Sequence, residues 1–374
     1  MGVANAIKFS TKSFMIYLRY MDPSIINVAK VFVPSAVAFA IGIAITPALT
    51  HYLYKYKMWK KKAREDALGG GGTPFFHALH KERETNVPRL GGIVIWFSAA
   101  VTIFLFWFLG TLFESPLFEK LNFLSRNQTW LPLFALLSAS LVGLIDDALT
   151  VSGKGTATGG GLSLRMRIAI VLGIGALCGW WFFVKLGVIG IAIPFDGELS
   201  LGLFFIPFFM LVMLALFSGG VIDGIDGLAG GIMVTIFAAY GGIAFFQNQI
   251  DLAALCAVLV GGLLAFLWFN IPPARFYMSE TGILGLTTTL AVVAFLTKAV
   301  AVLPIIAILL FAAPLSDIIQ IISKKFRKGK KVFIIAPIHH HFEAIGWPPY
   351  KVTMRFWILS AVFAVIGMTI ALIS

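Results

Sequence analysis

Ten uncharged runs of 17 to 24 residues recur along the chain, at 31–54, 90–113, 127–145, 168–184, 199–222, 227–250, 252–274, 281–297, 299–316 and 356–374. Each is near the ~20 apolar residues that carry an α-helix across the hydrocarbon layer. Lipid offers the backbone no hydrogen-bonding partners, so helix is the expected form. The runs lack the apolar/polar alternation of a membrane β-barrel. The pattern predicts an all-α integral membrane protein with about ten transmembrane helices in one domain, 29–374, behind an interfacial lead at 1–28. One stretch does alternate. VIGIAIPFDGELSLG (188–202) predicts a small extracytoplasmic β-hairpin around its Asp-Gly pair.

Composition agrees with that pattern. Of 374 residues, 59% are hydrophobic and 12% charged, with mean hydropathy +0.93. No ordinary soluble core requires such a balance. The net charge of +12 is unevenly placed: 21 of the 29 Lys and Arg fall in the loops after the first, third, fifth, seventh and ninth windows. By the positive-inside rule that side is cytoplasmic and both termini lie outside. The basic excess therefore reads as topology and contact with anionic lipid, not as nucleic-acid binding. Cys178 and Cys256 sit inside windows and read as buried thiols.

The unusual polar residues collect on the same side. Asp146 and Asp147 end the third window, Asp223 and Asp226 join the fifth and sixth, Glu280 precedes the eighth, and His339, His340 and His341 lie between the last two. Each has a plain structural reading. Asp223 suits an N-cap, with Asp226 in the first turn of the helix it starts. Glu280 suits a solvated membrane edge. Three successive histidines face apart on a helix, so an inward-pointing ring is expected from a non-helical loop. Asp146 and Asp147 fit a plain reading less well. Adjacent carboxylates repel and favour a bound cation or a nearby base.

Taken together, these groups point to chemistry. Carboxylates at a hydrocarbon edge suit Mg²⁺, which shares carboxylate and phosphate oxygens. Arg165, Arg167 and Arg275 suit phosphate oxygens. Glycine-rich helix starts offer N–H groups to the same anions. The implied reaction is phosphoryl transfer at a membrane surface, with a lipid phosphate as the membrane-borne partner. A transporter would place its charges near the midplane instead.

At these residues the chain resembles the polyprenyl-phosphate N-acetylhexosamine-1-phosphate transferases, over roughly 29–374. The most specific stretch is APIHHHFEAIGWPPYKVTMRFWILS (336–360). PRLGG (88–92), the Asp-Asp pair of GLIDDALT, GLSLRMR (161–167), DGIDGLAGG (223–231), WFNIPPARFYMSETG (268–282) and SDIIQ (316–320) share the resemblance. The triple histidine and the hairpin favour the branch that uses UDP-MurNAc-pentapeptide. The resemblance implies transfer to undecaprenyl phosphate in a bacterial cytoplasmic membrane, giving lipid I and UMP, with Mg²⁺. A sister reaction with UDP-GlcNAc and an inactive membrane homologue are the alternatives. A homodimer is compatible with the sequence and not demanded by it.

By the same resemblance Asp146, Asp147, Asp226 and His339 are the candidate catalytic residues. Asp223, Gly224, Tyr277, Gln320, His340, His341 and Arg167 are the candidate substrate-binding residues, with Tyr277 and Gln320 toward the base. Glu280 and Asp147 are the candidate metal ligands. Several positions depart from the family pattern. Phe217 and Gly220 stand where asparagines are expected. Thr150 replaces a lysine, and Met278-Ser279-Glu280 replaces Met-Gly-Asp. Val87-Pro88-Arg89-Leu90-Gly91-Gly92 replaces Thr-Pro-Thr-Met-Gly-Gly, without a clear lysine upstream. Lys81, Lys154 and Arg89 are the candidates to supply that missing charge.

Overall fold

The computed structural model describes residues 22–61, 85–113, 116–155 and 161–374. Most of the 1–28 lead, the GGGG run at 69–72 and Lys81 lie outside them. Among the described residues there are ten long helices, nine of them on the predicted apolar runs and α9 only partly so: α1 Pro23–Lys55, α2 Ile93–Leu112, α3 Trp130–Ser152, α4 Leu164–Trp180, α5 Phe205–Ser218, α6 Leu228–Phe246, α7 Ile250–Asn270, α8 Ser279–Leu296, α9 Ile308–Phe326 and α10 Pro349–Ile373. Among the described residues, all but α9 belong to stretches long and apolar enough to cross a membrane. The chain is an all-α integral membrane protein.

Three local differences from the sequence pattern have physical causes. α1 starts at Pro23, inside the predicted lead, because Asp22 accepts a 2.8 Å bond from the Ser24 N–H and Pro23 suits the first turn. The 299–316 run is not one helix. A short helix, Leu303–Ile306, ends at Ala307, and α9 then continues to Phe326 with Asp317, Lys324 and Lys325 on it. The hairpin forms, with β1 Gly190–Ile193 antiparallel to β2 Gly197–Ser200 and Gly190 opposite Ser200. Its connection is Pro194–Asp196 rather than the Asp-Gly pair, since Gly197, at φ 84°, already belongs to β2.

α8 is the axis of the bundle. From Ser279 to Phe295 every residue except Glu280 is buried. Its buried threonines turn their hydroxyls back on their own helix, Thr287 to the Ile283 carbonyl and Thr289 to that of Gly285, at 2.9 and 2.7 Å. Such back-bonds satisfy these hydroxyls within the helix. α3 lies against α8 along small residues, as is usual where lipid gives helices no hydrophobic reason to associate. At Gly143 backbone meets backbone: a Cβ there would collide with the carbonyl of Glu280.

Gly143→Ala is therefore expected to force α3 off the start of α8. Overpacking of this kind costs about 1–3 kcal/mol. Gly173 on α4 has open space where its Cβ would go, so Gly173→Ala should stay within about 0.5 kcal/mol of the parent. Thermal unfolding of both variants in detergent checks the contrast.

Candidate active site

The site is built around the first turn of α8, whose N–H groups have no partner within the helix. Two carboxylates from other segments supply acceptors. Asp147, fully buried near the end of α3, takes the Thr281 N–H at 2.9 Å and the Thr281 hydroxyl at 2.6 Å on Oδ2. Asp223, in the turn before α6, takes the Ser279 N–H at 2.9 Å. The positive end of the helix dipole favours both. Arg89 closes the arrangement, donating from Nε to Asp147 Oδ1 at 2.8 Å. It is positioned by a backbone exchange: Tyr277 N–H donates to Pro88 O, while Gly91 and Gly92 N–H donate to Tyr277 and Met278 O.

The remaining members of the cluster lie beside these. Asp146 Oδ1 accepts the Leu162 N–H at 2.6 Å, tying the start of the α4 segment to α3. Arg167 Nη1 pairs with Glu280 Oε1. Enclosure in the bundle pushes Asp223 up to about 6, although the Ser279 N–H pulls the other way. Burial also works against the charge of Arg89. Asp147, with Glu280 and Asp223 behind it, more than offsets that and raises its pKa.

Asp223 and Asp226 do not cap the helix that follows them. α6 starts at Leu228 behind Gly227, at φ 76°, without a side-chain cap. Asp226 instead accepts the Ala274 N–H at 3.1 Å, and Asn270 bridges the Gly227 N–H to the Phe276 carbonyl at 2.9 and 2.8 Å. The Asp-Gly-Ile-Asp turn thus fastens the α7–α8 connection. Between the aspartates, Gly224 is met by two imidazoles. A Cβ on it would come within 2.5 Å of His339 Nε2 and 2.7 Å of His340 Nε2.

The histidine segment is a short helix, Ile338–Ala344, and not the expected irregular loop. His339 and His340 are both buried, with ring centroids 4.3 Å apart. Glu343 Oε2 lies 2.6 Å from His340 Nδ1. His341 turns away and accepts the Ile334 N–H at 3.2 Å. Gln320 also differs from expectation. Its Oε1 accepts the Val332 and Phe333 N–H groups, and its Nε2 donates to Phe333 O, so the amide is occupied in holding the loop after α9. With Ser316, which accepts the Ile338 N–H, and Ser323, which donates to Lys330 O, it makes a polar face on α9 that carries the histidine segment.

Lys154 is exposed, and Phe217 and Gly220 bring no polar side chain. Of the two described candidates for the missing charge, Arg89 is the one found on the acidic cluster. Sequence pattern does not single out Thr281, Asn270 or Glu343, although each lies in a quoted motif. Their roles depend on partners distant in the chain or on a ring orientation.

Among the described residues no three His, Cys, Asp or Glu side chains are grouped to hold a metal ion alone. Mg²⁺ commonly takes one or two carboxylates and completes its shell with water and substrate phosphate. The donor set suits that mode. Asp146 and Glu280 each have one carboxylate oxygen engaged by a described protein donor, whereas both oxygens of Asp147 are engaged.

The all-α membrane bundle thus brings acids, guanidiniums and imidazoles together, and comparison with known proteins says which family has this sequence. Residues 129–298 match the model of glycosyl transferase family 4. The chain is 32% identical over 360 residues to the phospho-N-acetylmuramoyl-pentapeptide-transferase of Chloroflexus aggregans, covering 93% of this chain and 91% of that one. It is 32% identical over 340 residues to the same-named protein of Listeria welshimeri, covering 90% and 97%. For a Geobacillus species the identity is 33% over 339 residues, covering 89% and 95%. The chain belongs to the phospho-N-acetylmuramoyl-pentapeptide-transferase family.

Ser279, where the resemblance expects glycine, is in the left-handed region at φ 56°. Its buried hydroxyl has no partner among the described residues. Left-handed backbone costs a non-glycine residue of order 1 kcal/mol. Ser279→Gly should therefore raise the stability of the protein by about 1 kcal/mol, read as a higher unfolding temperature in detergent.

Proposed function

We propose that this protein transfers phospho-MurNAc-pentapeptide from UDP-MurNAc-pentapeptide to undecaprenyl phosphate, giving lipid I and UMP. The site would face the cytoplasm, with both termini outside, in keeping with the basic loops. The observation that carries the reading is the convergence of Asp146, Asp147, Asp223, Glu280, Arg89 and Arg167 around the start of α8 in a member of this family.

In the reaction a lipid-phosphate oxygen bonds to the sugar-side phosphorus of the donor. The bond from that phosphorus to the bridging oxygen breaks, and UMP leaves with the electron pair. No proton has to be removed first, because a phosphomonoester with a second pKa of ~6 is largely dianionic at pH 7. Asp147, which accepts three hydrogen bonds from Arg89 and Thr281, is suited to positioning rather than to acting as a base. Bound Mg²⁺ would screen the phosphates and the departing UMP. Asp146 and Glu280 each have an oxygen without a described protein donor to hold it, and Asp147, with three hydrogen bonds already on its carboxylate, is the more committed acid. Arg167 keeps Glu280 in place. His339 and His340, over Gly224, line the edge shared with Asp223 and Asp226, and Tyr277 lies at the same end for the nucleotide.

The test is UMP release by the purified protein with both substrates, in Mg²⁺ or in EDTA. Release is expected to need both substrates and Mg²⁺. Asp147→Asn should lower it by roughly 10²-fold or more, the scale for losing one preorganised electrostatic group. Release with UDP-GlcNAc but not with the MurNAc donor would move the protein to the sister reaction. Silence of the folded protein with every donor would end the transferase reading.

A further inference from the structure

Among the described residues Arg89 is bound on one side only. Its Nε is committed to Asp147 Oδ1 at 2.8 Å, which leaves both terminal amino groups of the guanidinium. Neither amino group donates to another described residue, and neither is a sealed atom lacking a partner. The side chain is 18% exposed while Asp147 is 0% exposed. The Nε edge is thus held against buried protein, and Glu280 and Asp223 lie near enough to act on the charge of the guanidinium. Arg167 differs. Its Nη1 is on Glu280, and its Nε is buried without a partner among the described residues.

A guanidinium moored to a carboxylate by Nε has little rotamer freedom left to lose. Its free amino pair forms a fork that matches two phosphate oxygens. Nearby carboxylates keep other anions out unless they bring enough charge and donors of their own. We propose that Arg89 is a phosphate-binding residue of this site, anchored on Asp147 and presenting its two amino groups to oxygens of a reacting phosphate. This deepens the transferase reading and rests on it. The resemblance places a threonine here, so the residue is a feature of this chain and supplies charge where the expected lysine is missing. A nucleotide diphosphate and a polyprenyl phosphate offer the same chemistry.

The experiment uses the full chain in detergent, with Arg89→Lys and Arg89→Gln. Lysine keeps a cation beside Asp147 but loses the fork; glutamine loses the charge. The readouts are UMP release by the parent, thermal unfolding, and the affinities for UDP, uridine, a polyprenyl phosphate and the matching polyprenol. A lost charge-assisted hydrogen bond weakens binding by roughly 10- to 100-fold. That loss is expected for UDP or for the polyprenyl phosphate, with uridine and polyprenol unchanged. The ligand that weakens identifies which phosphate Arg89 holds. If Arg89→Lys fails to fold, Arg89→Gln is read by the same ratios. Phosphate and phosphate-free ligands weakening together would mark a structural role and overturn the proposal. So would unchanged affinity for both phosphates in a folded variant. If the parent releases no UMP and binds neither phosphate ligand, the transferase reading fails first and this proposal falls with it.

Discussion

The start of α8 is the constraint on which the site depends. A helix buried on all sides cannot leave its first-turn N–H groups to water, and each unpaired group would cost on the order of 1–3 kcal/mol. Asp147 and Asp223 meet that requirement from α3 and from the turn before α6. Bringing two carboxylates to one helix end concentrates negative charge in a poorly solvated place. Arg89 and Arg167 then answer part of it. The groups that finish the fold are thus the groups that make the site, and stability and chemistry share the same bonds. This is why Gly143, which lets α3 approach the Glu280 carbonyl, matters to both.

The same network explains which parts were legible in sequence. Hydrophobic runs are a local signal, and they located α1 to α8 and α10. α9 escaped because it is not an ordinary span. One face carries Ser316, Gln320 and Ser323 toward the histidine segment, while Leu315, Ile318 and Ile322 are exposed on the other. The acids were recognisable as a group, since they stand out from apolar surroundings. Their partners were not. A capping pattern reads three or four residues ahead, whereas Asp223 caps a helix 56 residues on and Asp226 holds a loop 48 residues on. Motif position points Gln320 toward the base, yet its amide is engaged within its own loop.

Two departures from the family pattern, at Arg89 and at Ser279-Glu280, are far apart in sequence and belong to one cluster. Arg89 sits on Asp147, Asp147 on Thr281, and Thr281 follows Ser279 and Glu280, which pairs with Arg167. A glutamate has one more methylene than the aspartate it replaces, and here its head group lies on a guanidinium. A threonine-to-arginine difference in the same cluster adds a second cation. Changes that were independent losses would be expected to leave unpaired charges, which are costly when buried. Instead each altered residue that bears a charge has an opposite charge beside it, as expected of a site that has been rebalanced.

Charge balance also limits how such a site operates. Asp146, Asp147, Asp223 and Glu280 outnumber the two guanidiniums, so the cluster repels an incoming phosphate unless further positive charge enters with it. A divalent cation carried by the phosphates meets that need without a preformed cage, which fits the lack of a three-ligand group among the described residues. Positive charge already fixed in place by Arg89 requires no reorganisation when the phosphates arrive. In a cleft of low dielectric such preorganised charge is worth more than the same charge in water. On the proposed reaction, fixed guanidiniums would orient the phosphates and the carboxylates of Asp146 and Glu280 would hold the cation, while Asp147 keeps Arg89 in register with α8.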